Sequence, residues 1–349
     1  MNNQVDYIIV GFGITGACFA HYARSKGKSV LVFDLADQNT SSSVAIGLFH
    51  PMSFKKTVLA WSGMEYFQKA LDFYSFHAEE HLRKLTLNRI LNDTEEYNRW
   101  NERMGNEPFS EILEVSKSVE QIKAPFGVGQ LKACAKLDVQ EYIAQSRNTL
   151  LSEGSFYESK FDYHSVDLDS NSIKINEQKI DFKQIIFCEG LGAKDNPWFD
   201  LKFQAAKGDV LKISSSEVID KVINKRHFIT PIQGNEAWLG ATYDWRNTSN
   251  EKDLDAAEEL LETARNFLAD NIEFELKEHL TGVRPASFDR RPFVGAHEDF
   301  PSLACLNGMG SRAVLLSPMC SEFLFNHLEH GHEIPKELSL KRLEKFRNN

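Results

Sequence analysis

The chain has 349 residues, 42% of them hydrophobic, and a formal net charge of −10, enough for one large domain or two moderate ones with a real core. The acidic balance and the lack of any long basic run argue against nucleic acid or an anionic membrane as a partner, because phosphate binding needs clustered Lys and Arg, although a local basic groove is still compatible with them. No apolar run approaches the roughly 20 residues of a membrane span, the N-terminus lacks a basic n-region, and the five scattered cysteines (Cys18, Cys134, Cys188, Cys305, Cys320) contain no C-x-x-C pair, so the expectation is a cytoplasmic protein with free thiols and no membrane association.

The first apolar run, Tyr7-Ile8-Ile9-Val10, reads as a strand, Ala17 to Arg24 as a helix, and Ser29 to Phe33 as a second strand ending on Asp34. Between the first strand and the helix stands Gly11-Phe12-Gly13-Ile14-Thr15-Gly16, a G-x-G-x-x-G turn in strand–turn–helix–strand context. Gly11 permits the tight turn, Gly13 lets backbone approach a pyrophosphate, and Gly16 lets helix and strand pack closely. The helix start at Ile14 and Thr15 offers unpaired N–H groups and the positive dipole end to phosphates, and Asp34 can accept ribose hydroxyls. This unit predicts binding of FAD or NAD through the adenosine diphosphate half.

Further along, Phe67, Leu71, Tyr74, Ala78 and Leu82 at helical spacing predict a long amphipathic helix over 62–84. Residues 86–128 are mixed, with Asn-rich turns and short strand-like pieces. Leu137 to Glu153 reads as a helix capped by Asp138 and stopped by Gly154. Strand-like runs follow at 154–161, 172–175 and 184–188, the last ending in Glu189-Gly190-Leu191-Gly192, and extended runs at 209–213, 227–232 and 237–242. Leu254, Ala257, Leu261, Ala264 and Leu268 mark another amphipathic helix, and 303–328 reads strand, glycine turn, helix. The pattern predicts an α/β protein: a discontinuous Rossmann-like nucleotide-binding domain (1–85, 129–203 and 281–349) with an inserted, mainly antiparallel β substrate domain (86–128 and 204–280) of α+β type.

Two more motifs narrow the reading. One is Thr281-Gly282-Val283-Arg284-Pro285 continuing through Asp289-Arg290-Arg291-Pro292-Phe293-Val294-Gly295; the other is Asn307-Gly308-Met309-Gly310-Ser311-Arg312, then Ala313 to Pro318. In this order they resemble the FAD-dependent D-amino-acid oxidase (DAO) superfamily, which includes glycine and sarcosine oxidases. Gly308 to Arg312, Thr230-Pro231, Gly240 to Asp244, and Ser41-Ser42-Ser43 leading to Gly47 and Pro51 are most similar to the oxidase half of the bifunctional enzymes that build methylaminomethyl groups on the tRNA wobble uridine. The resemblance implies non-covalent FAD. Gly11, Gly13, Gly16 and Asp34 would hold its adenosine and pyrophosphate, and Ser42 and Ser43 would touch pyrophosphate or ribityl oxygens. Phe161 would sit on the strand that meets adenine, and Gly190 would mark a close backbone pass. Gly308, Gly310, Ser311, Arg312 and Ala313 would form a turn whose N–H groups and helix dipole face the flavin pyrimidine edge. Two departures stand out: Lys207-Gly208-Asp209 replaces the relatives' frequent Arg-Gly-Gln, and the methyltransferase half is absent from this acidic sequence.

Among candidate catalytic residues, Arg284 matches a substrate carboxylate through its planar fork, or else pairs with an internal acid. Arg312 would hold substrate or the flavin O2 region, or form a surface salt bridge. Tyr243 would line the substrate pocket with its hydroxyl, or be simply half-buried. His50 falls near the expected flavin ring or serves structurally, and Lys207 approaches flavin N5 or lies on the surface. His327, His330 and His332 read as solvated tail residues rather than a metal site, and Cys320, inside the last helix, is placed badly for a covalent flavin link. The implied activity is oxidation of a small amine or amino acid by hydride transfer to flavin N5. The alternatives are an oxidase acting on a modified wobble-uridine side chain of tRNA and a non-catalytic flavin-binding protein.

Overall fold

The protein is described by a computed structural model covering residues 4–35 and 40–343. The first strand (Gln4–Val10) lies between two parallel neighbours, Val30–Asp34 and Gln178–Phe187. Phe156–Glu158 extends the parallel set beyond the second strand, and Leu303–Asn307 extends it beyond Phe187. The runs Tyr7–Val10 and Val30–Phe33 are apolar at every position, and the structure shows why. Tyr7, Ile9, Val30, Val32 and Ile186 fall into one core, against the first helix (Ile14–Ser25) and the last helix (Ala313–His330). Ile8, Val10, Leu31, Phe33 and Ile185 fall into a second core on the opposite face. A parallel sheet covered on both sides needs apolar residues at successive positions, not alternate ones.

A second sheet runs in the order 274–284, 206–215, 236–240, 228–231, 222–224, 82–90, 128–137, 48–49. All its pairings are antiparallel except that of Val222–Asn224 with Leu82–Ile90. Its two faces differ. Leu211, Ile213, Ile229, Ala237 and Leu239 pack against Ala257, Leu260, Ala264 and Phe267 of the helix Leu254–Phe267. The alternate residues, including Gly208, Val210, Phe228, Thr230 and Gly282, face a cavity.

Several expectations are corrected. The helix expected over 62–84 runs Gly63–His77. Ala78 ends it at φ −157°, and Leu82 begins a nine-residue strand. The region 86–128 holds a helix, Thr94–Met104, capped by Asp93. Strands Val128–Leu137 and Phe274–Arg284 are longer than anything expected there. The strand expected at 154–161 is only Phe156–Glu158, so Phe161 lies beyond it. The cap assigned to Asp138 is present, its Oδ1 accepting from the Glu141 amide at 3.3 Å.

Candidate functional site

The site begins at the first turn. Gly11 takes φ +91°, and a Cβ there would stand 2.6 Å from the Cys188 carbonyl oxygen, so only glycine fits both the conformation and the space. A Cβ at Gly16 would stand 2.1 Å from the Gly11 carbonyl oxygen, which confirms its role in close helix–strand packing. Gly13 differs. It precedes the first helix with an ordinary φ of −73°, and among the described residues a Cβ there would meet the Ser42 side chain, its Oγ at 2.9 Å. The Ile14 amide donates to that hydroxyl at 3.1 Å. Ser42 therefore stands at the helix N-terminus, where the orphan amides and positive dipole end suit an anion. Thr15 turns the other way, its hydroxyl 3.1 Å from the Ser317 hydroxyl of the last helix. Ser43 folds back on its own loop, donating to the Thr40 carbonyl at 2.8 Å.

Asp34 ends the second strand as expected. Its Oδ1 accepts the Phe12 amide at 3.0 Å, and its Oδ2 pairs with Arg147 at 3.2 Å. It thus holds the glycine turn as well as facing a cavity of about 460 Å3 bordered by Gly11, Phe161, Gly190 and Pro285. Phe161 reaches that cavity from the loop after its strand, its ring edge-on to Phe33 at 5.2 Å. Gly190 takes φ +56°, and its carbonyl accepts from Asn307 Nδ2 at 3.0 Å. Arg147, on the helix Val139–Ser152, was not singled out in the sequence, because its partner lies more than 100 positions away.

A second cavity of about 410 Å3 lies between the open face of the second sheet, the loop 41–54 and the start of the last helix at Gly310–Leu315. Ser41 borders both cavities. The pair forms a cleft running from the first glycine turn to the second, with a helix N-terminus at each. That shape and those donors fit an extended dinucleotide: diphosphate at Gly11–Gly16, ring system near Gly310–Ala313. Gly308 supports this turn from beneath, with a Cβ excluded by the Phe293 ring at 2.6 Å.

Four of the candidate catalytic side chains border the same cavity: His50, Tyr243, Arg284 and Arg312. Arg284 sits on the last residue of its strand, and its Nη1 donates to the Lys207 carbonyl at 3.3 Å and the Thr242 carbonyl at 3.2 Å. Its guanidinium lies 4.2 Å from the Tyr243 ring centroid. Burial pulls its pKa down, opposed by Tyr243 and Asp209. Among the described residues no carboxylate lies within ion-pair distance of Arg284 or of Arg312, and the internal acid Asp209 acts on Arg284 only through space. Gly208 leaves room for the Arg284 fork, since a Cβ there would stand 2.2 Å from Nη2. Tyr243 is 53% exposed and stacks on Trp245 at 6.1 Å.

His50 accepts the Met52 amide through Nδ1 at 3.3 Å and lies against Phe54 and Phe228. Burial, reinforced by the nearby Arg312 charge, pushes its pKa down to about 3. The ring is therefore neutral with its proton on Nε2. Lys207 is a correction on both counts: it is 1% exposed, not on the surface, and strand alternation turns it away from the cavity that Gly208 and Val210 face. Asp209, also on that far face, receives His279 Nε2 at 2.8 Å and the Asp253 amide at 3.2 Å. Cys320 is fully buried within the last helix, and His327 Nδ1 lies 2.8 Å from the His332 carbonyl oxygen.

Comparison with known proteins adds the following. The family model described as DAO, FAD dependent oxidoreductase, matches residues 6–326. A tRNA 5-methylaminomethyl-2-thiouridine biosynthesis bifunctional protein of Vibrio campbellii is 26% identical over 227 residues, 53% of this chain and 33% of that protein. The chain thus spans about a third or less of the length of the first such relatives it matches. Glycine oxidase from Geobacillus kaustophilus superposes with a TM-score of 0.80 at 18% identity, covering 97% of this chain and 99% of that one. Iminodiacetate oxidase from Chelativorans sp. BNC1 superposes with a TM-score of 0.75 at 16% identity, covering 95% and 98%. No helix among the described residues is long and apolar enough to cross a membrane.

Proposed function

Because the chain belongs to the DAO family of FAD dependent oxidoreductases, we propose that it oxidises a small amine or amino acid bearing a carboxylate. The observation that carries this reading is Arg284: a guanidinium facing the cavity, fixed by two backbone carbonyls and an aromatic ring, with no acid paired to it among the described residues. A fork held in this way is preorganised for bidentate capture of a carboxylate. The compounds in the two neighbours' names, glycine and iminodiacetate, share the unit N–CH2–COO−. A bound FAD would supply the hydride acceptor for oxidising the carbon next to nitrogen to an imine, which water would hydrolyse.

The residues supply orientation and electrostatics. Arg284 anchors the carboxylate and so fixes the adjacent carbon. The positive charge of Arg284 and Arg312 disfavours a protonated amine in the same cavity and so favours its neutral, reactive form. The N-terminus of the last helix stabilises negative charge that develops beside it. His50 acts as a neutral donor. With Nδ1 occupied by the Met52 amide it holds no free lone pair toward the cavity and serves as no base.

The test is an anaerobic titration of the FAD-loaded protein with a panel of amines and amino acids. Loss of the oxidised-flavin absorbance with at least one carboxylate-bearing amine is expected. No bleaching with any member of the panel leaves a non-catalytic flavin protein as the better reading.

A second reading has its own observation. Outside the cavity, Arg291 lies 4.4 Å from the Trp61 ring centroid and Arg290 lies 5.6 Å from that of Trp245, beside the exposed Tyr243–Trp245 stack. Cationic and aromatic side chains interleaved at a pocket mouth suit an unstacked RNA base and its phosphates. This favours a modified wobble-uridine side chain of tRNA as substrate, on a chain whose overall charge is −10. Nanomolar tRNA binding that weakens steeply with salt would place this reading first.

A further inference from the structure

The charge lining the 410 Å3 cavity is one-sided among the described residues. Three arginines border it, Arg226, Arg284 and Arg312, and among the described residues no Asp or Glu does. Arg226 is answered from outside by Glu259 at 2.9 Å. Arg284 and Arg312 have no ion-pair partner among the described residues. Tyr243 borders the same cavity and covers the Arg284 guanidinium at 4.2 Å. Burial works against the charge of each. His50 adds an N–H donor but no charge, since Arg312 and burial hold it neutral.

Two cations without an ion-pair partner among the described residues, Arg284 supported only through space by Asp209 behind the sheet, repel each other in one partly desolvated cavity, and a single carboxylate neutralises only one of them. The oxidised flavin ring is uncharged and adds no counter-charge. We infer that the cavity is built for an amine carrying two anionic groups, one on the Arg284 fork and the second between Arg312 and the His50 Nε2–H. The inference rests on the reading that this cavity takes the substrate, and it narrows the substrate class from carboxylate-bearing amines to dianionic ones. A second anion also explains why His50 is a neutral donor flanked by Phe54 and Phe228: an N–H is useful to an acceptor oxygen and would do nothing for an alkyl chain.

The experiment measures binding, not turnover, and so separates failure of this inference from failure of the oxidase reading. FAD-loaded protein is titrated at constant ionic strength with propionate and with malonate, succinate and glutarate, following the flavin difference spectrum and, in parallel, the thermal midpoint. At least one dicarboxylate is expected to bind ~10-fold or more tighter than propionate, the size of one charge-assisted contact. Arg312→Met is expected to abolish that ratio, the dicarboxylate losing far more affinity than propionate, and Arg312→Lys to restore part of it. His50→Phe is expected to narrow the ratio by a few fold with FAD content unchanged. Equal affinities for mono- and dicarboxylates overturn the inference. So does an Arg312→Met protein that keeps the ratio, or one that loses FAD, which would make Arg312 a cofactor contact.

Discussion

Arg284 shows how much a single side chain's surroundings decide. Its Nη1 is held by the Lys207 and Thr242 carbonyls and its face is covered by Tyr243, so the side chain's rotamer entropy is already spent before a ligand arrives. Arg284→Met keeps much of the stem volume and removes the charge. kcat/KM for a carboxylate-bearing amine should fall at least ~10-fold, since one charge-assisted contact contributes about 1.5–3 kcal/mol. FAD content should stay near normal, amines without a carboxylate should respond far less, and Lys should rescue only in part because it lacks the fork. A variant that loses FAD or unfolds would show the residue to be structural.

At the scale of an element, the strand–turn–helix unit separates two kinds of glycine. Gly11 combines φ +91° with a Cβ position 2.6 Å from the Cys188 carbonyl oxygen, and backbone on both sides resists movement. Gly13 has an ordinary φ, and among the described residues the close neighbour of a Cβ there is the rotatable Ser42 hydroxyl. Gly11→Ala should therefore destabilise the protein even without cofactor, read as a lower thermal midpoint of the apo form. Gly13→Ala should leave that midpoint within a few degrees yet weaken FAD binding, because its methyl group projects where a pyrophosphate approaches the helix start. Equal loss of apo stability in both variants would contradict the distinction. The second sheet makes a similar point about Lys207-Gly208-Asp209. The alternation of a strand sends the two charged residues behind the sheet and leaves Gly208 as the gap into which the Arg284 fork fits.

For the whole molecule, pH-dependent stability follows from histidines that fold neutral. His21 lies between the first helix and the helix Val139–Ser152, its Nε2 2.8 Å from the Ser146 hydroxyl and its ring stacked on Tyr142 at 5.3 Å. Burial first, then His77 and Arg24, push its pKa down to about 4 from an ordinary 6.5. A depressed histidine means the unfolded chain binds a proton that the native state refuses. Its contribution is complete above pH 6.5 and is lost as pH falls from there toward 4, at about 1.4 kcal/mol per pH unit for one such group. Urea midpoints of the apo protein at pH 7, 5.5 and 4.5 should decline, and His21→Gln should flatten the decline. The same slope in wild type and variant would show that other groups control acid unfolding.

The amino-acid sequence by itself determined what depends on neighbours along the chain. The glycine turn with Asp34 at the end of the following strand, the Asp138 cap, the all-apolar strands of a doubly covered sheet and the Gly308–Ala313 turn are local patterns, and each is present with the geometry its residue types require. From them came the α/β class, the family and FAD as cofactor. Only the tertiary structure decided what depends on partners far apart in the chain. Phe274–Arg284 is an edge strand whose exposed run Glu275–Glu278 mixes three charged residues with Leu276, stabilised by its ladder to Ala206–Ser215, so no periodicity announced it. Arg147 meets Asp34, Gly208 yields to Arg284, Lys207 faces inward away from the cavity, and His50 and Arg312 border one cavity because two sheets bring them together. Burial and charge balance are properties of enclosed space, and a chain read in order carries no measure of it.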